Sequence, residues 1–461
     1  MLRTVGTRRK LPIFAPVIRR TPLRRAIAGV HPWVVLAIGW VVVVIYAYPG
    51  QLTFDSLRYF VQARAGEYSD DQPPAIAALW RLLEYLVAGP CLMLVVQVTA
   101  FLAGLYLIFQ RSLRPRPAAC AATAVIVFPP VMVTMAMIWK DSLTASFLAL
   151  GAGLLLSAHR RARVAGLASL CAASAFHYAA PVATLPLVVI LFEYAPCATP
   201  LRRYAIAALA WVAITLLSLG LDHELADHQV HGWSSTVVVH DIVGTLAYID
   251  EDLPDEKLKT LFAGTGLQVE EEIHERAREL YNPRDFVSTI GDPQLAMWKR
   301  SLTGEPPAPH DQRKAIEAAR RTLIHEYPKA YLKHRIAVFA EVLSRGGSVP
   351  NRVVADKDGR QILGLSTRNS DLQLAVTKWF ANLDRNTALF VPGLYLVVSL
   401  ILLGFARRER EVLAILCSGL AMEGAVFFIA TSRDFRHSLW MVVCMLVATI
   451  TLIVRRAARA R

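Results

Sequence analysis

The run WVVLAIGWVVVVIYA at 33–47 passes directly into YPGQLTFDSLRYFVQARAGEYSDDQPP at 48–74. The first half holds no charge and reads as a helix inside a bilayer, where roughly 20 mainly apolar residues are needed to cross. The second half holds three aspartates, Asp55, Asp70 and Asp71. Acids at the mouth of a membrane segment need a reason, because an ionised carboxylate is costly close to lipid.

The rest of the chain repeats the first theme. Of 461 residues, 55% are hydrophobic and only 19% charged, which is too apolar for a soluble chain of this length. The formal net charge of +14 is divided among short basic loops rather than gathered into a stripe, which argues for membrane topology and against nucleic acid as a partner. The six cysteines show no CxxC or Cys/His spacing, so neither a disulfide framework nor a zinc site is expected. The basic start of the chain precedes an apolar run too long for a signal-peptide core, so a retained first span is expected.

On the length criterion about ten spans are expected. They lie near 32–49, 89–110, 117–138, 142–158, 164–178, 179–194, 204–221, 388–406, 412–430 and 438–454. Pro181 and the His177-Tyr178 pair favour a tight reversal between the fifth and sixth. Loops rich in Lys and Arg mark the cytoplasmic side, and RSLRPRP at 111, HRRAR at 159, LRRY at 201 and RRER at 407 all fall on one side. Both termini are then expected in the cytoplasm. The expected fold is an all-α polytopic membrane protein with five regions. These are a basic segment at 1–31, a transmembrane core at 32–221 with its first external loop at 50–88, a helical external domain at 222–387, the last transmembrane helices at 388–454, and a basic tail at 455–461.

Within the first external loop, Thr53 is a candidate N-cap that puts Asp55 in the first turn of a short interfacial helix. A second should begin at Pro74. A carboxylate in a helix's first turn has a simple structural use, since it complements the helix dipole. Other ionisable groups expected near the same membrane face widen the question: Lys140 and Asp141 after the third span, Glu423 within the ninth, and Arg433 and Arg436 after it. Such a set suits transfer from a lipid-linked anion. A carboxylate serves as general base toward a hydroxyl, and cations stabilise the charge developing on a phosphate.

The P-G-x4-D-S pattern at 49–56, Gln62, the G-x-Y-S-D-D-Q-P-P run at 66–74 containing Tyr68, and the Trp-Lys-Asp-Ser turn at 139 resemble bacterial members of the GT-C superfamily of membrane glycosyltransferases. The HEYPKAYLKHR segment carrying Arg335 and the SRDFRH turn are similar to that group as well. The resemblance implies a multi-pass protein of the bacterial inner (plasma) membrane that takes a sugar from a polyprenyl-phosphate donor at the external face. It implies Asp55 as the catalytic acid of the first loop, with Asp70 or Asp71 as a second acidic group. Relatives often have His where this chain has Gln72. The expected substrate-binding set is Lys140, Asp141, Gln62, Tyr68, His177, Arg335, Glu423, Arg433 and Arg436. A divalent metal (Mg or Mn) on the loop carboxylates is left open, and the acceptor is unknown. Two rival classes are a transporter of lipid-linked sugars and a non-catalytic envelope protein that binds through 222–387.

Overall fold

A computed structural model describes residues 30–193, 199–229, 232–265, 273–286, 310–345, 364 and 370–460. The expected basic segment at 1–31, apart from its last residues, and the loop near 302 lie outside them. Among the described residues the chain is helical and no strand forms. The first helix, α1 (Pro32–Ala47), is followed by two short helices, α2 (Phe54–Ala65) and α3 (Pro74–Glu84). Then come α4 (Cys91–Phe109), α5 (Pro115–Val127), α6 (Pro129–Met135), α7 (Lys140–Leu155), α8 (Arg160–Phe176), α9 (Ala180–Leu191) and α10 (Pro200–Leu225). The polar segment supplies α11 (Gly232–Ala247), α12 (Asp255–Leu261), α13 (Ile273–Leu280), α14 (His310–Glu326), α15 (Pro328–Leu343) and α16 (Asp371–Asn386). The chain closes with α17 (Pro392–Ala406), α18 (Arg410–Ile429), a 3-10 turn at Phe435–Ser438, and α19 (Leu439–Arg459).

Among the described residues four helices are long and apolar enough to cross a membrane: α4, α10, α18, and α19 together with the 3-10 turn before it. A fifth candidate is the pair α5 and α6, which meets the criterion jointly but bends by 73°. The other segments expected to span are helical but shorter or more polar. The 16 residues of α1 reach about 24 Å at ~1.5 Å each, less than the ~30 Å hydrocarbon core.

The third expected span was read as continuous, and it is not. Pro129 disfavours the helical conformation at the residue before it, and Phe128 accordingly adopts φ −59°, ψ 126°. Beyond the break, α6 ends at Met135 inside the protein, and the carbonyls at and just past its end each need a donor. Gln97, buried in the middle of α4, donates its amide to the Met135 and Met137 carbonyls at 2.8 and 3.0 Å. Ser142 donates to the Thr134 carbonyl at 2.8 Å. At the fifth and sixth segments the expected reversal is present, because His177 is extended (φ −156°, ψ 120°) between α8 and α9.

One apolar core joins α1, α4 to α10 and α17 to α19. Helices α4 and α7 approach so closely that a Cβ on Gly104 would stand 2.3 Å from the Ala149 carbonyl carbon. Small residues permitting close backbone contact are the usual device of helix packing in lipid. A second core under α2 and α3 centres on Phe60 and Trp80, whose ring centroids are 5.1 Å apart. The polar segment has its own core, including Ile242, Leu246, Phe262, Ile273, Ile316 and Leu323.

Candidate functional site at the α2, α7 and α19 junction

Two loops distant in sequence are laced together at one end of the bundle. Gln51 and Met137 form a parallel bridge, with the Ile138 amide donating to the Gln51 carbonyl at 3.0 Å. Ser56, in the first turn of α2, accepts from the Thr53 amide at 3.2 Å and donates its hydroxyl to the Ile138 carbonyl at 2.7 Å. The Trp139 indole donates to the Thr53 hydroxyl at 2.7 Å. These bonds set the start of α2, and so Asp55, beside the start of α7 with Lys140 and Asp141.

The third contribution comes from the turn before α19. Asp434 caps it by accepting from the Arg436 amide at 3.0 Å. The Arg436 guanidinium lies over the Trp139 ring at 4.8 Å, an arrangement that favours a cation. It donates to Asp55 Oδ2 at 2.6 Å, and its Nε is 3.1 Å from Asp434 Oδ2 and 3.9 Å from Asp141 Oδ2. Asp141 is buried, with His177 Nε2 at 3.6 Å and His437 Nδ1 at 3.8 Å from its Oδ1. On the near side, Gln72 Oε1 accepts from Lys140 Nζ at 2.9 Å and from the Tyr59 hydroxyl at 3.0 Å. Arg58 pairs with Asp71.

The environment sorts the acids. Burial pushes the Asp55 carboxyl up, but the Arg436 and Lys140 charges outweigh it and hold the group below its ordinary value. For Asp71 burial prevails over Arg58, and its carboxyl is raised. Burial also raises the Tyr59 phenol well above the ordinary range, so that it donates to Gln72 as a neutral hydroxyl.

The other expected residues fall into two groups. Gln62 and Tyr68 shape the loop: Gln62 donates to the Ser69 hydroxyl at 2.9 Å, and the Tyr68 amide donates to Asp227 at 2.8 Å. The Asp70 amide donates to the His228 carbonyl at 3.2 Å, and its carbonyl accepts from the Tyr178 hydroxyl at 3.1 Å. Glu423 is buried and accepts from Ser438, two residues beyond Arg436, at 2.9 Å. Arg335 and Arg433 are engaged elsewhere. Arg335 is fully buried, pairs with Asp241 and donates to the Ala430 carbonyl at 2.8 Å. Arg433 lies 3.5 Å from Glu341. Residues not singled out from the sequence also belong to the cluster. Arg58 and Tyr59 stand three and four positions after Asp55, on its face of α2, and His437 adjoins Arg436.

Among the described residues no group of three or more His, Cys, Asp or Glu is gathered as a metal site. Of the loop carboxylates, Asp55 and Asp71 each already face a guanidinium. The arrangement can hold an anion on Arg436 and Lys140 and present a carboxylate beside it. Comparison of the chain with protein-family models, with curated proteins and with solved structures finds no match.

Proposed function

We propose that this protein is an integral-membrane glycosyltransferase of the GT-C kind, moving a sugar from a polyprenyl-phosphate donor to an acceptor hydroxyl of the cell envelope. In this reading about ten segments enter or cross the inner membrane of a bacterium, the basic loops and both termini are cytoplasmic, and the Asp55 face is external. The observation that supports it is the meeting of Asp55, Lys140, Asp141 and Arg436, brought from three parts of the chain to one end of an apolar bundle.

The donor phosphate would be received by Arg436 and Lys140, guanidinium and ammonium being strong partners for phosphate oxygens. Asp55 takes the acceptor's proton while the new bond forms between acceptor oxygen and anomeric carbon. The bond from that carbon to the phosphate oxygen breaks, and the electron pair leaves with polyprenyl phosphate, whose charge the two cations stabilise. A single displacement inverts the anomeric centre. Phosphate binding also draws Arg436 from Asp55, which raises the carboxylate's affinity for a proton at the moment a base is needed. A divalent ion would have to displace a guanidinium from Asp55 or Asp71, so no step is routed through one.

The transporter reading has one observation in its favour, the 73° break between α5 and α6, because discontinuous helices in carriers offer open carbonyls to ions. Here the carbonyls of Thr134, Met135 and Met137, where α6 ends, already accept from Ser142 and Gln97, which favours a structural role for that end of the broken segment. Asp55→Asn separates the classes. Asn keeps the shape and helix-start chemistry but takes no proton. Transfer from polyprenyl-phosphate-linked sugar, measured in membranes holding equal amounts of each protein, should fall about 100-fold to 10,000-fold. Near wild-type turnover would remove Asp55 as the base.

A further inference from the structure

At the far end of the bundle lies a second charged site that the proposed reaction does not use. Helix α18, about 30 Å long at ~1.5 Å per residue, separates it from Arg436. A cavity of about 280 Å³ opens where α17 ends and α19 finishes, lined by Arg407, Arg408, Arg455, Arg456 and Arg459 against the single carboxylate of Glu409. The five cations are not equivalent. Arg455 is consumed, since it reaches Glu409 at 2.7 Å, pairs with Glu411 and donates to the Ser112 hydroxyl at 2.8 Å. Arg459 pairs with Glu409. Arg407, Arg408 and Arg456 make no ion pair among the described residues, and the Arg456 guanidinium lies over the Phe405 ring at 4.4 Å.

The apolar surroundings indicate the kind of anion. Val397, Ile401 and Phe405 follow one another at four-residue spacing along α17, all more than half exposed, and so form a stripe that runs to the cavity. Ile453, 63% exposed, stands one turn before Arg456 on α19. A soluble anion has no use for such a wall. A phospholipid has, because its phosphate sits at the depth of the guanidinium groups while its acyl chains follow the stripe. Guanidinium also matches phosphate in geometry as well as charge, and basic pockets between membrane helices are a recurrent form of anionic headgroup site.

We infer that this cavity binds the phosphate of an anionic phospholipid, with Arg407, Arg408 and Arg456 as the headgroup ligands and Glu409 fixing Arg455 and Arg459 as the inner wall. The combined variant Arg407→Gln, Arg408→Gln and Arg456→Gln breaks no ion pair of the described fold, and Arg114→Gln with Arg161→Gln and Arg202→Gln removes equal charge from other basic loops. Each protein is purified from vesicles of mixed phosphatidylglycerol and phosphatidylcholine, and the lipid retained is counted by native mass spectrometry. The cavity variant should retain phosphatidylglycerol at least about tenfold more weakly, and the loop variant should match the wild type. Equal loss in both variants would reduce the site to general surface charge and overturn the inference, as would equal retention in all three. Titration of detergent-purified wild type with glycerol phosphate provides the other arm. Thermal stabilisation by the soluble compound equal to that by the lipid would assign the cavity to a free phosphate ester instead. If the triple Gln variant unfolds, the salt dependence of phosphatidylglycerol retention by the wild type decides: retention unaffected by salt contradicts an ionic headgroup site.

Discussion

Replacing Gln97 by Leu removes the two donors that serve the end of α6 while keeping the side chain's bulk. The amide faces two carbonyls at once, those of Met135 and Met137, so its nitrogen must point to them and the bonds have one assignment. An unsatisfied buried carbonyl costs about 1–3 kcal/mol, giving roughly 2–6 kcal/mol for two. Part is returned because leucine is better solvated by the core, worth about 1–2 kcal/mol, which leaves a net loss of roughly 0–5 kcal/mol, about 2–3 at the midpoints. Gln97→Glu should be worse, since an ionised carboxylate has no donor and repels both carbonyls. The assay is unfolding by graded denaturing detergent, read beside hydrogen exchange at the amides of 135–140. The variant should unfold earlier, and exchange should rise first in that segment. A Gln97→Leu protein with an unchanged midpoint and unchanged exchange would mean that the end of α6 is held by other contacts.

Three further outcomes follow from the same geometry. Because the Asp55 carboxyl is held below its ordinary value of 3.8, its contribution to stability is present above pH 3.8 and lost as the pH falls through the folded value. The stability of Asp55→Asn should therefore trail the wild type at pH 5 to 7 and approach it in stronger acid, and a constant gap would refute the assignment. Gly66 has φ +73°, and a Cβ there would land on the Arg81 guanidinium. Gly66→Ala should cost about 1–3 kcal/mol and disturb the loop holding Gln72, seen as a lower unfolding midpoint together with weaker donor binding. Single cysteines at Glu251 and Arg161 test sidedness in cells with a permeable outer membrane. An impermeant thiol reagent should label the first and spare the second, and the reverse pattern would put Asp55 in the cytoplasm.

The helical character and the two short helices α2 and α3 were legible because each depends on local signals: uncharged apolar runs, Thr53 before a helix, Pro74 at a helix start. Asp55, Lys140, Asp141 and Arg436 were legible as an ionisable set near one membrane face, but their partners were not. The partnership of Asp55 with Arg436 depends on how α19 packs, and no spacing in the sequence encodes it. Arg335 was expected to bind substrate because the HEYPKAYLKHR segment resembles the GT-C group; its partner Asp241 lies on α11, visible only once α11 and α15 pack. The break at Phe128 was written in Pro129-Pro130, yet the apolar run on both sides read as a single span. Gln97 is a lone amide in an apolar helix, and its purpose is visible only once α6 is seen to end at Met135.

The Asp55–Arg436 pair joins positions 381 residues apart. During synthesis α2 leaves the ribosome long before the turn that carries Arg436, and until that turn arrives Asp55 lacks its main counter-ion. A nascent chain that stalls ahead of α19 therefore carries the acid of the site without the arginine that completes it. The Asp55–Arg436 ion pair can therefore form only on chains translated past the turn before α19.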